Sequence, residues 1–137
     1  PGEDEAMFEQ SLKFVEQIGF ARLHVFAYSP RPGTPAEAMK NQVDKAEKEA
    51  RSHRMIALGE RLAAQYASGW FGQKQQVLVE ESLADQVWSG HTDNYLEVTF
   101  QADSVAELRG TLQTVMLTGE AGQKPASWAA RLLSVNT

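Results

Sequence analysis

Apolar positions early in the chain recur with the period of a helix. Phe8, Leu12, Val15 and Ile18 are spaced four, three and three apart, which places them on one face of a helix over residues 4–18. Asp4 or Glu5 provides the helix start and Gly19 the left-handed C-cap. Over Arg22–Tyr28 the period drops to two, with Leu23, Val25 and Ala27 on one side and His24, Phe26 and Tyr28 on the other. Both sides are largely apolar, so the segment reads as a strand covered on two faces, as in a parallel α/β layer. One helix and one strand cannot build such a layer. The turn-forming Pro1-Gly2 also leads straight into the helix, so the opening reads as a chain cut inside a domain. Ser29–Pro35 carries three prolines, which fix φ and remove donors, and reads as a stiff loop. Asp44 and Glu47 form the ends of a capping box. Met55, Leu58, Leu62 and Tyr66 then run as a helical stripe to Gly69. The charged turns Lys45–Arg54, with Glu47 four before Arg51, read as a solvated face laced by an ion pair.

From Trp70 the periodicity becomes two, interrupted by turn residues. The candidate strands are 75–80, 86–89, 95–100, 111–117 and 129–135. Five short strands in so short a stretch suit a small closed or nearly closed barrel, which also removes exposed edges. The expected fold class is therefore α+β: helix, strand and helix over residues 1–69, then an antiparallel five-stranded β-barrel over 70–137. No internal repeat or low-complexity tract interrupts this division.

Composition narrows the chemistry. The 137 residues include no cysteine, so the chain offers neither a disulfide nor a thiolate ligand, and His24, His53 and His91 lie far apart. No apolar run approaches the roughly 20 residues that span a bilayer, and the acidic opening is unlike a signal peptide; the expected compartment is the cytoplasm, with no membrane partner. The net charge of −5 argues against a strong nucleic-acid binder, because phosphate neutralisation by Lys and Arg supplies most of the non-specific affinity. In the second half, Lys74, Arg109, Lys124 and Arg131 face eight acidic residues. Any RNA contact there depends on a few placed side chains.

Two segments could carry chemistry. In the loop Tyr28–Pro35, Arg31 between two prolines is suited to pair with a carboxylate or phosphate at small entropic cost, or is simply a solvated residue on a rigid connector. In Gly90-His91-Thr92-Asp93-Asn94-Tyr95, an imidazole, an amide and an aromatic ring are gathered. Asn reads base edges, and Tyr or His stacks on unpaired bases; the alternative is a hairpin in which Asp93-Asn94 shape the turn and Tyr95 packs in the barrel. His24 is expected to be a hydrogen-bonded core residue and His53 an exposed one. Trp70, Trp88 and Trp128 read as partly buried residues at domain and barrel seams.

His24-Val25-Phe26-Ala27-Tyr28-Ser29-Pro30-Arg31-Pro32-Gly33-Thr34-Pro35-Ala36 resembles the sixth strand and following loop of the radical S-adenosylmethionine (radical-SAM) methylthiotransferases. Pro1-Gly2-Glu3, Phe8-Glu9 and Phe14-Val15 are similar to the segment after that family's fifth strand. Gly90-His91-Thr92-Asp93-Asn94-Tyr95 resembles the signature of its C-terminal TRAM domain, a small RNA-binding barrel of OB-like form, and Leu108-Arg109-Gly110 and Leu117-Thr118-Gly119 fit the same domain's last strands.

The resemblance implies that residues 1–69 are the C-terminal end of a radical-SAM α/β partial barrel. It implies an enzyme in which a cysteine-bound iron–sulfur cluster cleaves S-adenosylmethionine, and the radical activates adenine C2 for addition of sulfur and a methyl group. The cluster cysteines have no counterpart here, so no catalytic residue is assigned, no cofactor is expected to bind these residues alone, and they are expected to be inactive by themselves. Tyr28 and Arg31 would line the cofactor end of the barrel. Lys74, His91, Asn94, Tyr95 and Arg109 would contact RNA, with the TRAM barrel holding the tRNA anticodon arm. The His-Thr-x-Asn-Tyr form of the turn looks most like the branch acting on threonylcarbamoyl-adenosine; related branches treat isopentenyl-adenosine in tRNA or an aspartate of a ribosomal protein. A free-standing RNA or protein interaction module is the reading from a different class. Without the rest of their sheet, residues before 40 are expected either to pack poorly or to pair with another copy, which gives the chain a route to self-association through 1–69.

Overall fold

The computed structural model describes residues 1–103 and 107–134. The chain divides into two compact units, Pro1–Tyr66 and Ala67–Thr137.

In the first unit, α1 spans Glu5–Ile18. The Asp4 carboxylate accepts the Met7 N–H at 2.8 Å, and Gly19, at φ 69°, donates its N–H to the Val15 carbonyl. Both helix ends therefore form where the local capping residues predict. Pro35–Ala38 forms a one-turn helix, α2, within what reads as loop. Proline suits the first helical position because its missing N–H has no helical partner there in any case, and the Gln42 amide closes the turn by donating to the Ala36 and Met39 carbonyls at 2.9 and 3.0 Å. The long helix α3 runs over Lys45–Ser68, and Asp44 accepts the Glu47 N–H at 2.9 Å.

The charged first turns of α3 are not simply solvated. Arg51 is only 8% exposed. It pairs with Glu47 at 2.8 Å as the four-residue spacing predicts, and also donates to the Glu3 carbonyl at 2.9 Å. Arg54 pairs with Glu5 and Glu9, and Arg61 with Glu16. Phe8 is buried with the guanidinium carbons of Arg51 and Arg54 at 5.5 and 4.9 Å from its ring centroid, in the range of cation–π attraction. The acidic start of α1 thus supplies counter-charges that the sequence of α3 by itself does not reveal.

The expected strand Arg22–Tyr28 is absent. Its residues form no regular element, with Leu23 and Val25 half-buried and Phe26 87% exposed, and no strand lies beside them among the described residues. A strand exists only through its ladder, so an isolated segment keeps the alternation without the pairing. His24 is accordingly exposed and not a core residue, while His53 is exposed as expected.

The second unit is a closed barrel of β1 (Lys74–Ala84), β2 (Val87–Thr92), β3 (Glu97–Gln101), β4 (Leu112–Ala121) and β5 (Trp128–Ser134), in the order β1-β2-β3-β5-β4. The expected end of β5 at Val135 lies outside the described residues. The barrel is mixed and not wholly antiparallel, because β3 and β5 run parallel, Val98 opposite Trp128 and Gln101 opposite Arg131. Strand directions can alternate all the way round a ring only when the number of strands is even, so five strands in a closed barrel require one parallel neighbour pair. β1 outlasts its expected end because irregularities at Val79/Glu81 and Ser82/Ala84 let it bend and keep pairing.

Inward positions of alternating strands make the core: Val77, Val79, Trp88, Val98, Phe100, Val115 and Leu117, joined by Leu96, Ala102 and Leu108 from the connections. Burial of each large side chain contributes about 1.5–3 kcal/mol. Gly90 allows β2 to lie tightly against β1, since a Cβ there would sit 2.0 Å from the Leu78 carbonyl oxygen. Trp88 is buried and Trp70 and Trp128 are half-buried, with the Trp128 ring 5.0 Å from that of Phe71.

Candidate nucleic-acid interface

The turn after β2 is built around one hydroxyl. Thr92 Oγ1 is buried and accepts the Leu96 N–H at 2.9 Å, while Thr92 N–H donates to the Leu96 carbonyl at 3.0 Å. Tyr95 N–H donates to the Thr92 carbonyl at 3.0 Å, which closes a tight loop over Asp93 and Asn94. The same hydroxyl meets Asn94 Oδ1, so the amide turns into the loop; its Nδ2 is buried and lacks a hydrogen-bond partner. Asn94 is therefore a strut of the turn with one uncommitted donor.

Tyr95 takes the opposite orientation. Its backbone is left-handed at φ 65° and its residue is 80% exposed, so the ring stands off the barrel and does not pack inside it. A left-handed conformation costs a non-glycine residue roughly 1–2 kcal/mol. A large aromatic residue held there, in solvent, contributes little to the core that would offset that cost.

His91 lies opposite Leu78 on β1 and Glu97 on β3. Its Nδ1 is 2.8 Å from Glu80 Oε2. Lys74 opens β1 three residues beyond Val77, the partner of Thr92, so Lys74 and the turn share one end of the barrel. The fold thus brings Lys74, His91, Asn94 and Tyr95 to a common region. Arg109 lies in the connection before β4, where the Gly110 N–H donates to the Val79 carbonyl. Its Nε and one terminal nitrogen grip the Glu107 carboxylate, each at 2.9 Å. That fork lowers the Glu107 carboxyl to about 2, with a backbone hydrogen bond adding to it. Lys124 is held between Glu97 at 2.5 Å and Glu81 at 3.2 Å. Arg131, which the sequence pattern does not distinguish from the other cations, is exposed, and its guanidinium donates to the Met116 sulfur at 3.7 Å with no ion pair among the described residues.

In the first unit, Tyr28 is half-buried and its hydroxyl is buried without a hydrogen-bond partner. Its carbonyl accepts from Lys48 Nζ at 3.2 Å. Tyr28 lines a cleft of about 330 Å³ with Phe8, Val25, Val43, Lys48 and Met55. Arg31 is exposed and is not among the residues lining this cleft; its carbonyl instead accepts the Thr34 N–H and hydroxyl. The residues present supply no thiolate for an iron–sulfur cluster, and among the described residues no three His, Asp or Glu side chains converge in a metal-binding group. Among them, too, no helix is long and apolar enough to cross a membrane.

No protein-family model matches the chain. It is 41% identical over 105 residues to the threonylcarbamoyladenosine tRNA methylthiotransferase MtaB of Bacillus subtilis, an alignment covering 74% of this chain and 23% of that protein. It is 34% identical over 107 residues to the enzyme of the same name from Thermotoga maritima, covering 78% of this chain and 25% of that one. The chain therefore spans about a quarter of the length of the curated relatives it matches, and over that quarter it belongs with the MtaB-type tRNA methylthiotransferases.

Proposed function

We propose that this chain is the C-terminal, RNA-holding part of a tRNA-modifying methylthiotransferase acting on threonylcarbamoyladenosine beside the anticodon. The barrel holds the anticodon arm through the turn after β2. Tyr95 stacks on an unpaired base, His91 flanks it, Asn94 shapes the turn that presents the ring, and Lys74 meets phosphate. Arg109, already engaged by Glu107, plays a smaller part. Catalysis by a radical from S-adenosylmethionine and an iron–sulfur cluster belongs to the remainder of such an enzyme, which works in the cytoplasm on tRNA. The single observation that carries the reading is the Tyr95 ring, 80% exposed on a left-handed backbone at the site of the family-like turn.

Residues 20–27 support the fragment reading. Their backbone makes no hydrogen bond with other backbone groups among the described residues, so this segment is the place where a neighbouring strand of the longer enzyme, or a second copy of the isolated chain, adds itself. Concentration-dependent sedimentation of the chain tests the second copy; a monomer at all concentrations refutes it.

The RNA reading is tested by fluorescence anisotropy of a labelled anticodon stem–loop against the chain and its Tyr95→Ala variant. Stacking on a base is worth about 1–3 kcal/mol, so the substitution should weaken binding correspondingly while the melting curve of the barrel is retained. Equal affinity of the two folded proteins would remove the turn as the RNA site.

A further inference from the structure

Strand pairing on the outside of the barrel brings together two cations that are separated by 57 positions in sequence. Lys74 on β1 lies opposite Met116 on β4, and Met116 lies opposite Arg131 on β5. Paired residues on neighbouring strands present their side chains to the same face. Lys74, Met116 and Arg131 therefore form one row across three strands, with the cations two strand spacings, or about 10 Å, apart.

Both charges are available. Of the four basic residues in this unit, Arg109 is held by Glu107 and Lys124 by Glu81 and Glu97. Lys74 has no ion pair among the described residues, and Arg131 only rests on the Met116 sulfur. The next row on the same face is Gln76, Thr114 and Ser134, uncharged throughout. The row after that is apolar and open: Leu78, 44% exposed, is paired with Leu112, 52% exposed, and on its other side with His91. Acidic groups flank this face: Glu97 stands in that same row on the far side of His91, Glu80 is bonded to His91, and Glu120 is exposed further along β4.

We infer that the outer face of β5-β4-β1 is a second part of the nucleic-acid site, in which Arg131 and Lys74 hold backbone phosphates of an RNA strand leading from the Tyr95 turn, and the Leu78–Leu112 pair packs on a sugar or base. This rests on the RNA reading above and names residues it does not include. The occupant is a nucleic-acid strand because the charges that remain free are cationic and border a neutral polar row, and Lys74 stands at the end of β1 nearest the turn that carries the exposed ring. The acidic edge at Glu80 and Glu97 repels phosphate and so sets the side from which the strand enters.

The test uses the full chain, a labelled anticodon stem–loop RNA and a salt titration of affinity for Arg131→Gln, Lys74→Gln, the double variant and Arg109→Gln. Each lost phosphate contact lowers the slope of log affinity against log salt by about 0.7 for single strands. Arg131→Gln and Lys74→Gln should each reduce the slope by about that amount and the double variant by about twice it, with Arg109→Gln changing it least. Arg131→Lys should restore the slope, because it keeps the charge, and thermal melts should be unchanged since both side chains are exposed. Slopes unaffected by Arg131 and Lys74, in a protein whose binding still falls with Tyr95→Ala, would overturn the phosphate row and leave the turn in place. Loss of binding by none of these variants, or no binding by the parent chain, would overturn both readings. Displacement of the RNA by polyglutamate at equal charge, with Tyr95→Ala without effect, would assign the cations to an acidic protein and overturn the inference as well.

Discussion

Replacing Tyr95 by glycine separates a functional ring from a structural one. At φ 65° the present residue bears a left-handed penalty of roughly 1–2 kcal/mol, which glycine removes. Glycine in turn loses about 0.5–1 kcal/mol through the greater freedom of its unfolded chain. The ring is 80% exposed, so about a fifth of the roughly 200 Å² typical of a large aromatic is buried, worth about 1 kcal/mol at ~25 cal/mol per Å². These contributions nearly cancel, and the net change in barrel stability is within about 1 kcal/mol of zero. For a domain of this size that is a shift of no more than about 4–8 °C in Tm. Affinity for an anticodon stem–loop, measured on the same preparation, should nevertheless fall by about 1–3 kcal/mol, on the order of 5- to 150-fold. The assay pairs a calorimetric or circular-dichroism melt with an anisotropy titration below the melting range. A drop in Tm far beyond this window would show that the ring packs against the barrel in solution. Unchanged affinity with unchanged Tm would show that the exposed ring has no RNA to meet.

Gly90→Ala is expected to destabilise the barrel by about 3 kcal/mol or more, because its Cβ would meet the Leu78 carbonyl oxygen at 2.0 Å and backbone must move; a urea titration midpoint close to that of the parent would refute this. Asp4→Ala should cost the first unit about 1 kcal/mol by removing the cap on the Met7 N–H, read as faster amide exchange at the start of α1 and not in the barrel. The Glu107 carboxyl should titrate near 2 by carbon-13 NMR, below its ordinary 4.5, and return toward that value in Arg109→Gln. Since its folded pKa is the depressed one, any stability from this pair is present above pH 4.5 and is lost as pH falls toward about 2; a titration at the ordinary value in the parent would show the fork open in solution.

The parts of this protein written in neighbouring residues are legible without a structure. Asp4, Gly19, Asp44 and the Glu47–Arg51 spacing act within a turn or two of helix, so the ends of α1 and the start of α3 follow from them. Alternation of apolar residues is equally local, and it marks all five strands of the barrel and places the polar segment His91–Tyr95 where β2 ends and the chain turns toward β3. What depends on who stands beside whom is not so written. The alternation in Arg22–Tyr28 satisfies the pattern of a strand, but hydrogen bonds need a neighbour, and none lies beside it among the described residues. Arg51 resembles any other charge of a solvated helix until Glu3 and Glu5 from a distant segment close over it. The parallel β3–β5 pair follows from closing an odd ring, a condition on all strands at once. Only the Thr92 hydroxyl network decides that Asn94 turns inward and Tyr95 outward. Only the register of β1, β4 and β5 sets Lys74 and Arg131 in one row, while Arg109 is withdrawn by a carboxylate two residues away. Local preference thus determines which elements exist, whereas pairing across the fold, which the one-dimensional pattern does not encode residue by residue, decides which side chains remain free to bind.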